Sequence, residues 1–148
     1  MLNGTSQDRA AIDELVRRFF AAFTNKDGAV PDVEVFAGLF IPSGVILKAI
    51  SREPEVYSVR NFIEPRARIL SDGTLTDFSE EEIDARTDIV GNIAQRVSLY
   101  RKSGLTLGKR LEGKGIKVLQ FVRTSAGWRL SAVAWDDERE GLTIPATL

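Results

Sequence analysis

From Leu75 onward the hydrophobic period of this chain is about 2 residues, where most of the chain before it follows about 3.6, and that switch restricts the fold more than any other feature. Before it, Ile12, Leu15, Val16, Phe19, Phe20 and Phe23 share one helical face, with Asp13, Glu14, Arg17 and Arg18 opposite. Thr5 or Ser6 caps the start, Thr5-x-x-Asp8 matches a capping box, and Asn25-Lys26-Asp27-Gly28 supplies the stop. A shorter helix is expected after Asp32, burying Phe36, Leu39 and Phe40 and ending at Pro42-Ser43-Gly44. Val45-Ile46-Leu47 and Glu55-Val56-Tyr57 read as short strands. Ser58 caps a third helix that turns Val59, Phe62, Ile63, Ala67 and Leu70 inward and closes at Ser71-Asp72-Gly73. Pro65 should kink that helix or delay its start, because proline lacks the N–H and its ring clashes with the preceding turn.

After Leu75, residues 83–90 and 93–101 alternate around Gly91-Asn92, a pair suited to a type II′ hairpin turn. Gly104, Gly108, Gly113 and Gly115 suggest a flexible connection over 104–114. Residues 116–124 and 127–136 form a second hairpin around Ser125-Ala126. Helices first and an antiparallel meander second define an α+β fold, with N-terminal helices packed on a curved antiparallel sheet. All 148 residues fit a single domain.

Turn positions decide which strand residues share a face. Pairing around Ser125-Ala126 places Lys117, Leu119, Phe121, Trp128, Leu130, Ala132, Ala134 and Asp136 toward the helices. The other face carries Ile116, Val118, Gln120, Val122, Arg129, Ser131, Val133 and Trp135. That face is too apolar for open water, so the expectation is a homodimer through Ile116, Val118, Val122, Val133 and Trp135. In the first hairpin Ile83, Ala85, Thr87, Ile89, Ala94, Arg96, Ser98 and Tyr100 are read as inward, since the opposite choice buries three charges in a row. Inward Arg96, Ser98 and Tyr100 need partners, which the polar end of an apolar cavity would provide.

Composition removes whole classes of chemistry. The chain has no histidine and no cysteine, which excludes a Ser-His triad, thiolate chemistry, disulfides and the commonest zinc ligands. A net charge of −1 and the absence of a long basic run argue against a nucleic-acid partner. Arg66/Arg68 and Lys109/Arg110 read as short solvated clusters. The acidic run Glu80-Glu81-Glu82 with Asp84 and Asp88 gives a flat row by alternation, a solvated face rather than a metal site. Met1 to Leu15 lacks the apolar core of a signal peptide, and no stretch approaches the roughly 20 apolar residues of a membrane span. The expectation is a cytoplasmic protein with no membrane partner.

The order of elements, together with the segments FIEPRARILSDGTLTDFSE at 62–80, GNIAQRVSLYRKSG at 91–104 and GKGIKVLQFVRTSAGWRLSAVAWDDER at 113–139, resembles the nuclear transport factor 2-like superfamily. Within it the chain is most similar to the small bacterial SnoaL-like branch of cystatin-like α+β cones. The resemblance covers nearly the whole chain and implies a pocket between a concave sheet and the helices. It implies no single function, because that fold hosts enzymes, ligand binders and interaction modules. Isomerase and cyclase relatives use acidic residues, tyrosine or histidine in the pocket. Here there is no histidine, and no Tyr–Asp–Asp set maps onto the chain.

Three readings remain open at the level of sequence. The first is a homodimeric domain whose pocket takes a small apolar or weakly anionic molecule. The second is cofactor-free proton transfer of isomerase, dehydratase or cyclase type, with Asp136 as base and Tyr100 as donor. The third is a non-catalytic dimerisation or protein-interaction module. Arg96 could clamp an anionic group or pair with a glutamate of the 80–82 run. Ser98 and Tyr57 are further candidates for the pocket and its mouth, and Lys117 reaches either ligand or solvent. Asp136 could equally pair with Lys117 or Arg139, and Tyr100 could be a core residue.

Overall fold

The computed structural model describes residues 3–148; Met1 and Leu2, part of the stretch read for a signal peptide, lie outside them. Helix α1 spans Ser6–Ala21 and starts at a complete capping box between Thr5 and Asp8. Asp8 has a second role. It accepts from Trp128 Nε1 (3.1 Å) and Arg123 (2.8 Å), so the helix start is tied to the end of a distant hairpin. The Arg123 guanidinium, then the indole N–H, hold its carboxyl well below the usual range. After a single 3₁₀ turn at Lys26–Gly28 come α2 (Val33–Gly38), β1 (Phe40–Lys48), β2 (Glu55–Ser58) and α3 (Val59–Ser71). Helix α3 is capped by Ser58 as expected and runs through Pro65 without a delayed start.

Four long strands follow: β3 (Leu75–Val90), β4 (Ile93–Thr106), β5 (Lys109–Thr124) and β6 (Gly127–Asp137). The six strands form one curved sheet in the order β2-β1-β6-β5-β4-β3, antiparallel except for β1 beside β6. The segment 104–114 is therefore a hairpin rather than a flexible connection. Leu107 and Gly108 take φ of 50° and 81°, the pair of positive values a type I′ turn requires, and Thr106 pairs with Lys109. Gly104, Gly113 and Gly115 lie inside strands.

Two of the sheet's register irregularities decide which way the candidate residues face. One extra residue in a strand turns everything beyond it to the other side. In β6 the register slips at Ser131: Phe121 faces Leu130, but Gln120 faces Ala132 and Leu119 faces Val133. Val133 (1% exposed) and Trp135 consequently point to the helices, and Asp136 points away. In β3 the register slips at Ile83, which is 37% exposed, so Glu80 and Glu82 join Ala85, Thr87 and Ile89 on the inner face. The acidic run is thus split between the two faces.

Ile12, Leu15, Val16, Phe19 and Phe20 of α1 pack with Phe36, Leu39, Leu119, Phe121 and Leu130 over the concave side. On the convex side, Leu99 is fully buried although its neighbours Ser98 and Tyr100 face inward. The tail after β6 crosses there. Glu138 accepts from the Ile144 N–H (2.9 Å), and Asp84, the register partner of Leu99, accepts from the Leu148 N–H (2.8 Å). Among the described residues, no helix is long and apolar enough to cross a membrane.

Candidate functional site

The concave sheet and the helices do not close completely. A cavity of ≈ 230 Å³ remains between α1, α2, α3, the end of β1 and the inner face of β3–β6. Its apolar wall is a chain of rings: Phe19 to Phe36 (5.2 Å between centroids), Phe36 to Phe62 (5.8 Å) and Phe62 to Trp135 (5.6 Å). Phe23, Ile69, Leu70, Leu75, Phe78 and Leu111 complete it. Asn25 holds the β3 wall in place. Its amide donates to the carbonyls of Leu70 (3.0 Å) and Leu75 (2.8 Å), and its side-chain oxygen accepts from the Phe78 N–H (2.7 Å).

The rest of the lining is charged. Lys48, Arg66, Lys102 and Lys117 contribute four cations against the carboxylates of Glu80 and Asp137. Lys102 donates to Asp137 (3.0 Å), whose other oxygen accepts from the Tyr100 hydroxyl. Burial, reinforced by that carboxylate, pushes the Tyr100 phenol far above its ordinary value, so it stays protonated. Lys117 Nζ lies 4.0 Å from the Tyr100 ring centroid and 5.3 Å from that of Trp135, with Glu80 at 3.7 Å. Burial pulls the Lys117 ammonium down from its ordinary value; Glu80 opposes this, and neighbouring Lys102 adds to it. Arg66 lies 3.7 Å over the Phe62 ring, donates to the Phe62 carbonyl (3.1 Å) and forms no ion pair among the described residues. Burial draws its guanidinium below the ordinary value.

The residues singled out from sequence divide into three groups. Lys117 lines the cavity, while Tyr100 and Tyr57 flank it: Tyr100 beneath Lys117, and Tyr57 beside Arg66 at 5.4 Å. Arg96 and Ser98 face inward but belong to a separate closed network. Arg96 binds both oxygens of Glu82 (2.5 and 3.1 Å), Asp13 (2.7 Å) and Thr87 (3.2 Å), and Ser98 donates to Glu82 (2.7 Å). Four of the five guanidinium N–H donors are taken by these partners, so Arg96 serves as a structural clamp between α1, β3 and β4. The third group is displaced by the β6 bulge. Asp136 faces out and pairs with Arg139, and the carboxylate beside Tyr100 is Asp137. Val133 and Trp135 leave the outer face for the inner one, and Ile116, Val118 and Val122 remain outside. Arg66, Lys102, Lys48, Glu80 and Asp137 were not singled out. A signal for the last was present: the large apolar residues of β6 fall at 128, 130, 133 and 135, and the step of three marks the bulge.

A cone of helices on a curved sheet with an internal cavity is the architecture of the nuclear transport factor 2-like, cystatin-like proteins. Solved structures of that fold superimpose over most of the chain. A nuclear transport factor 2-like superfamily protein from Salmonella enterica has 15% identity and a TM-score of 0.75, over 92% of this chain and 94% of that one. A cystatin-like protein of unknown function from Nostoc punctiforme has 16% identity and a TM-score of 0.68, over 90% and 93%. A protein from Novosphingobium aromaticivorans, provisionally described as an aromatic ring hydroxylase, has 16% identity and a TM-score of 0.72, over 91% and 92%. No protein-family model matches the sequence, and no curated protein does. At these identities the likeness establishes the fold.

Proposed function

We propose that this domain binds a small, mostly apolar molecule carrying an anionic group, with the apolar body against the Phe19–Phe36–Phe62–Trp135 wall and the anion toward Arg66. The observation that carries this reading is the Arg66 guanidinium, without an ion pair among the described residues, on a cavity whose other cations Lys48, Lys102 and Lys117 each face a carboxylate, Glu55, Asp137 and Glu80. At ≈ 230 Å³ the space exceeds the ~150 Å³ apolar cavity that accommodates benzene, so a one-ring carboxylate fits. The cofactor-free proton-transfer reading is less well supported, because Asp136 faces outward and the Tyr100 hydroxyl is committed to Asp137. The pure interaction-module reading would be favoured by a cavity filled by Phe19, Phe23, Phe121 and Trp128; the open cavity lined by Phe19 and Phe23 supports it less.

Trp135 is one of two tryptophans and the one on the cavity, so a Trp128→Phe protein reports binding by fluorescence. Benzoate or phenylacetate should bind at least about tenfold more tightly than benzyl alcohol, the difference a charge-assisted hydrogen bond of about 1.5–3 kcal/mol supplies. Arg66→Gln should abolish that preference. Equal affinity for acid and alcohol in the parent protein would sink the anionic part of the reading.

The proposal includes a homodimer through the part of the convex face that the C-terminal tail leaves open. Val118 (44% exposed), Ile93 (60%) and Val90 (50%) form it, with Val122 beside them. Arg86 and Asp88 flank it with opposite charges, which a two-fold-related copy can match. Light scattering at micromolar concentration should give twice the 16.4 kDa chain mass, and Val118→Lys should return it to one; a monomeric parent protein would remove this part of the proposal.

A further inference from the structure

We propose that Lys117 is a covalent ligand-binding residue, whose amine condenses with the carbonyl carbon of an aldehyde or ketone held in the cavity to form an imine. The inference rests on the reading above that the cavity takes small anionic molecules. It adds that the ligand class includes carbonyl compounds with an apolar body and a carboxylate.

Three observations place a nucleophile at Nζ. Lys117 is on the inner face of β5, 6% exposed, and lines the cavity rather than the surface. Its end stands among rings, with centroids of Tyr100 at 4.0 Å, Trp135 at 5.3 Å, Phe19 at 5.8 Å and Phe20 at 5.9 Å, so little water competes for it. A second cation, Lys102, is fixed nearby by Asp137. Apolar burial and a neighbouring cation are the two conditions that free a lysine amine for attack near neutral pH. Both act on Lys117, and burial dominates.

Glu80 completes the proton balance. Its carboxylate, 3.7 Å from Nζ, takes a proton from the ammonium. The free amine adds its lone pair to the carbonyl carbon, and proton transfer from nitrogen to oxygen gives the carbinolamine. Protonated Glu80 then returns its proton to the carbinolamine hydroxyl, which leaves as water while the nitrogen lone pair forms the C=N bond. The net change is ammonium plus carbonyl to protonated imine plus water, with Glu80 regenerated and no oxidant or reductant consumed. Arg66 and the ring wall hold the carbonyl compound by its acid and its body.

The test uses the full chain, 4-carboxybenzaldehyde as probe and cyanoborohydride to trap the imine as a stable secondary amine, read by peptide mapping of the six lysines. Lys117 should label on the order of tenfold or more faster than exposed Lys114, as expected for a held carbonyl beside a free amine. The unreactive 4-methylbenzoate should suppress that label. Lys117→Arg keeps a cation for Glu80 but cannot form the imine; it should lose the label at this position while exposed Lys114 labels as before. Labelling that favours Lys102 or spreads evenly over the exposed lysines overturns the proposal. Binding of 4-methylbenzoate without a Lys117 adduct overturns the imine alone, whereas no binding of either compound overturns the cavity reading with it.

Discussion

Replacing Arg96 by methionine should cost about 3–5 kcal/mol, the range for removing one partner of a buried ion pair. The side chain is 10% exposed and that of Glu82 20%, so the loss strands a carboxylate that also accepts from Ser98. Asp13, half-exposed at the other end, adds little. For a chain of this length about 3 kcal/mol is a large share of a total near 7–15 kcal/mol, and should lower Tm by roughly 6–12 °C. Arg96→Lys should recover only part of it, because one ammonium cannot replace a fork bonded to Glu82, Asp13 and Thr87 together. The double variant Arg96→Met/Glu82→Met should recover more, since apolar residues can replace a buried pair almost without loss. Chemical unfolding of the four proteins measures this. A loss under about 1 kcal/mol in Arg96→Met would show that the network is solvated and contributes little.

This cluster also shows how far the sequence could be read. The turns at Gly91-Asn92 and Ser125-Ala126, the capping of α1 and α3, and the inward set of β4 all follow from local rules, and the structure has them. Inward Arg96 and Ser98 were therefore legible, and so was a glutamate partner from the 80–82 run. What alternation could not supply was the register beyond a bulge. A period of two carries no memory of an inserted residue, so the one-residue slips at Ile83 and Ser131 inverted Glu80, Glu82, Val133, Trp135, Asp136 and Asp137 together. Both carboxylates of the charged end, Glu80 and Asp137, lie past one slip or the other. Arg66 escaped for a different reason. An arginine on the inward arc of an amphipathic helix looks like an ordinary solvated residue until the ring beneath its guanidinium is known to be Phe62.

The second large effect is expected at Gly115, whose φ is ordinary and whose importance is steric. A methyl group built there would lie 2.5 Å from Tyr100 Cζ and 2.6 Å from Cε1, closer than real side-chain carbons approach. Tyr100 cannot yield: it is fully buried, lies under Lys117 and is anchored by its hydroxyl to Asp137. Gly115→Ala must therefore displace the ring and break that hydrogen bond, an overpacking cost of about 1–3 kcal/mol with a lost buried bond of similar size added. Gly113→Ala is the control two residues away on the same strand. Its methyl would meet only Lys102, at 3.2 Å from Cε and 3.8 Å from Cγ, a contact that a shift of a few tenths of an ångström relieves with the Asp137 ion pair kept, so its cost should stay below about 1 kcal/mol. If the clash with Tyr100 is the cause, Tyr100→Leu combined with Gly115→Ala should lose less than the sum of the two single changes, as contacting sites do. Strict additivity would place the damage elsewhere in the strand. The same displacement would release Asp137 and, through it, Lys102. Gly115→Ala should then also weaken benzoate binding at temperatures where the protein is still folded, whereas Gly113→Ala should not; stability and affinity falling together at Gly115 alone would tie the packing beneath β5 to the charged end of the cavity.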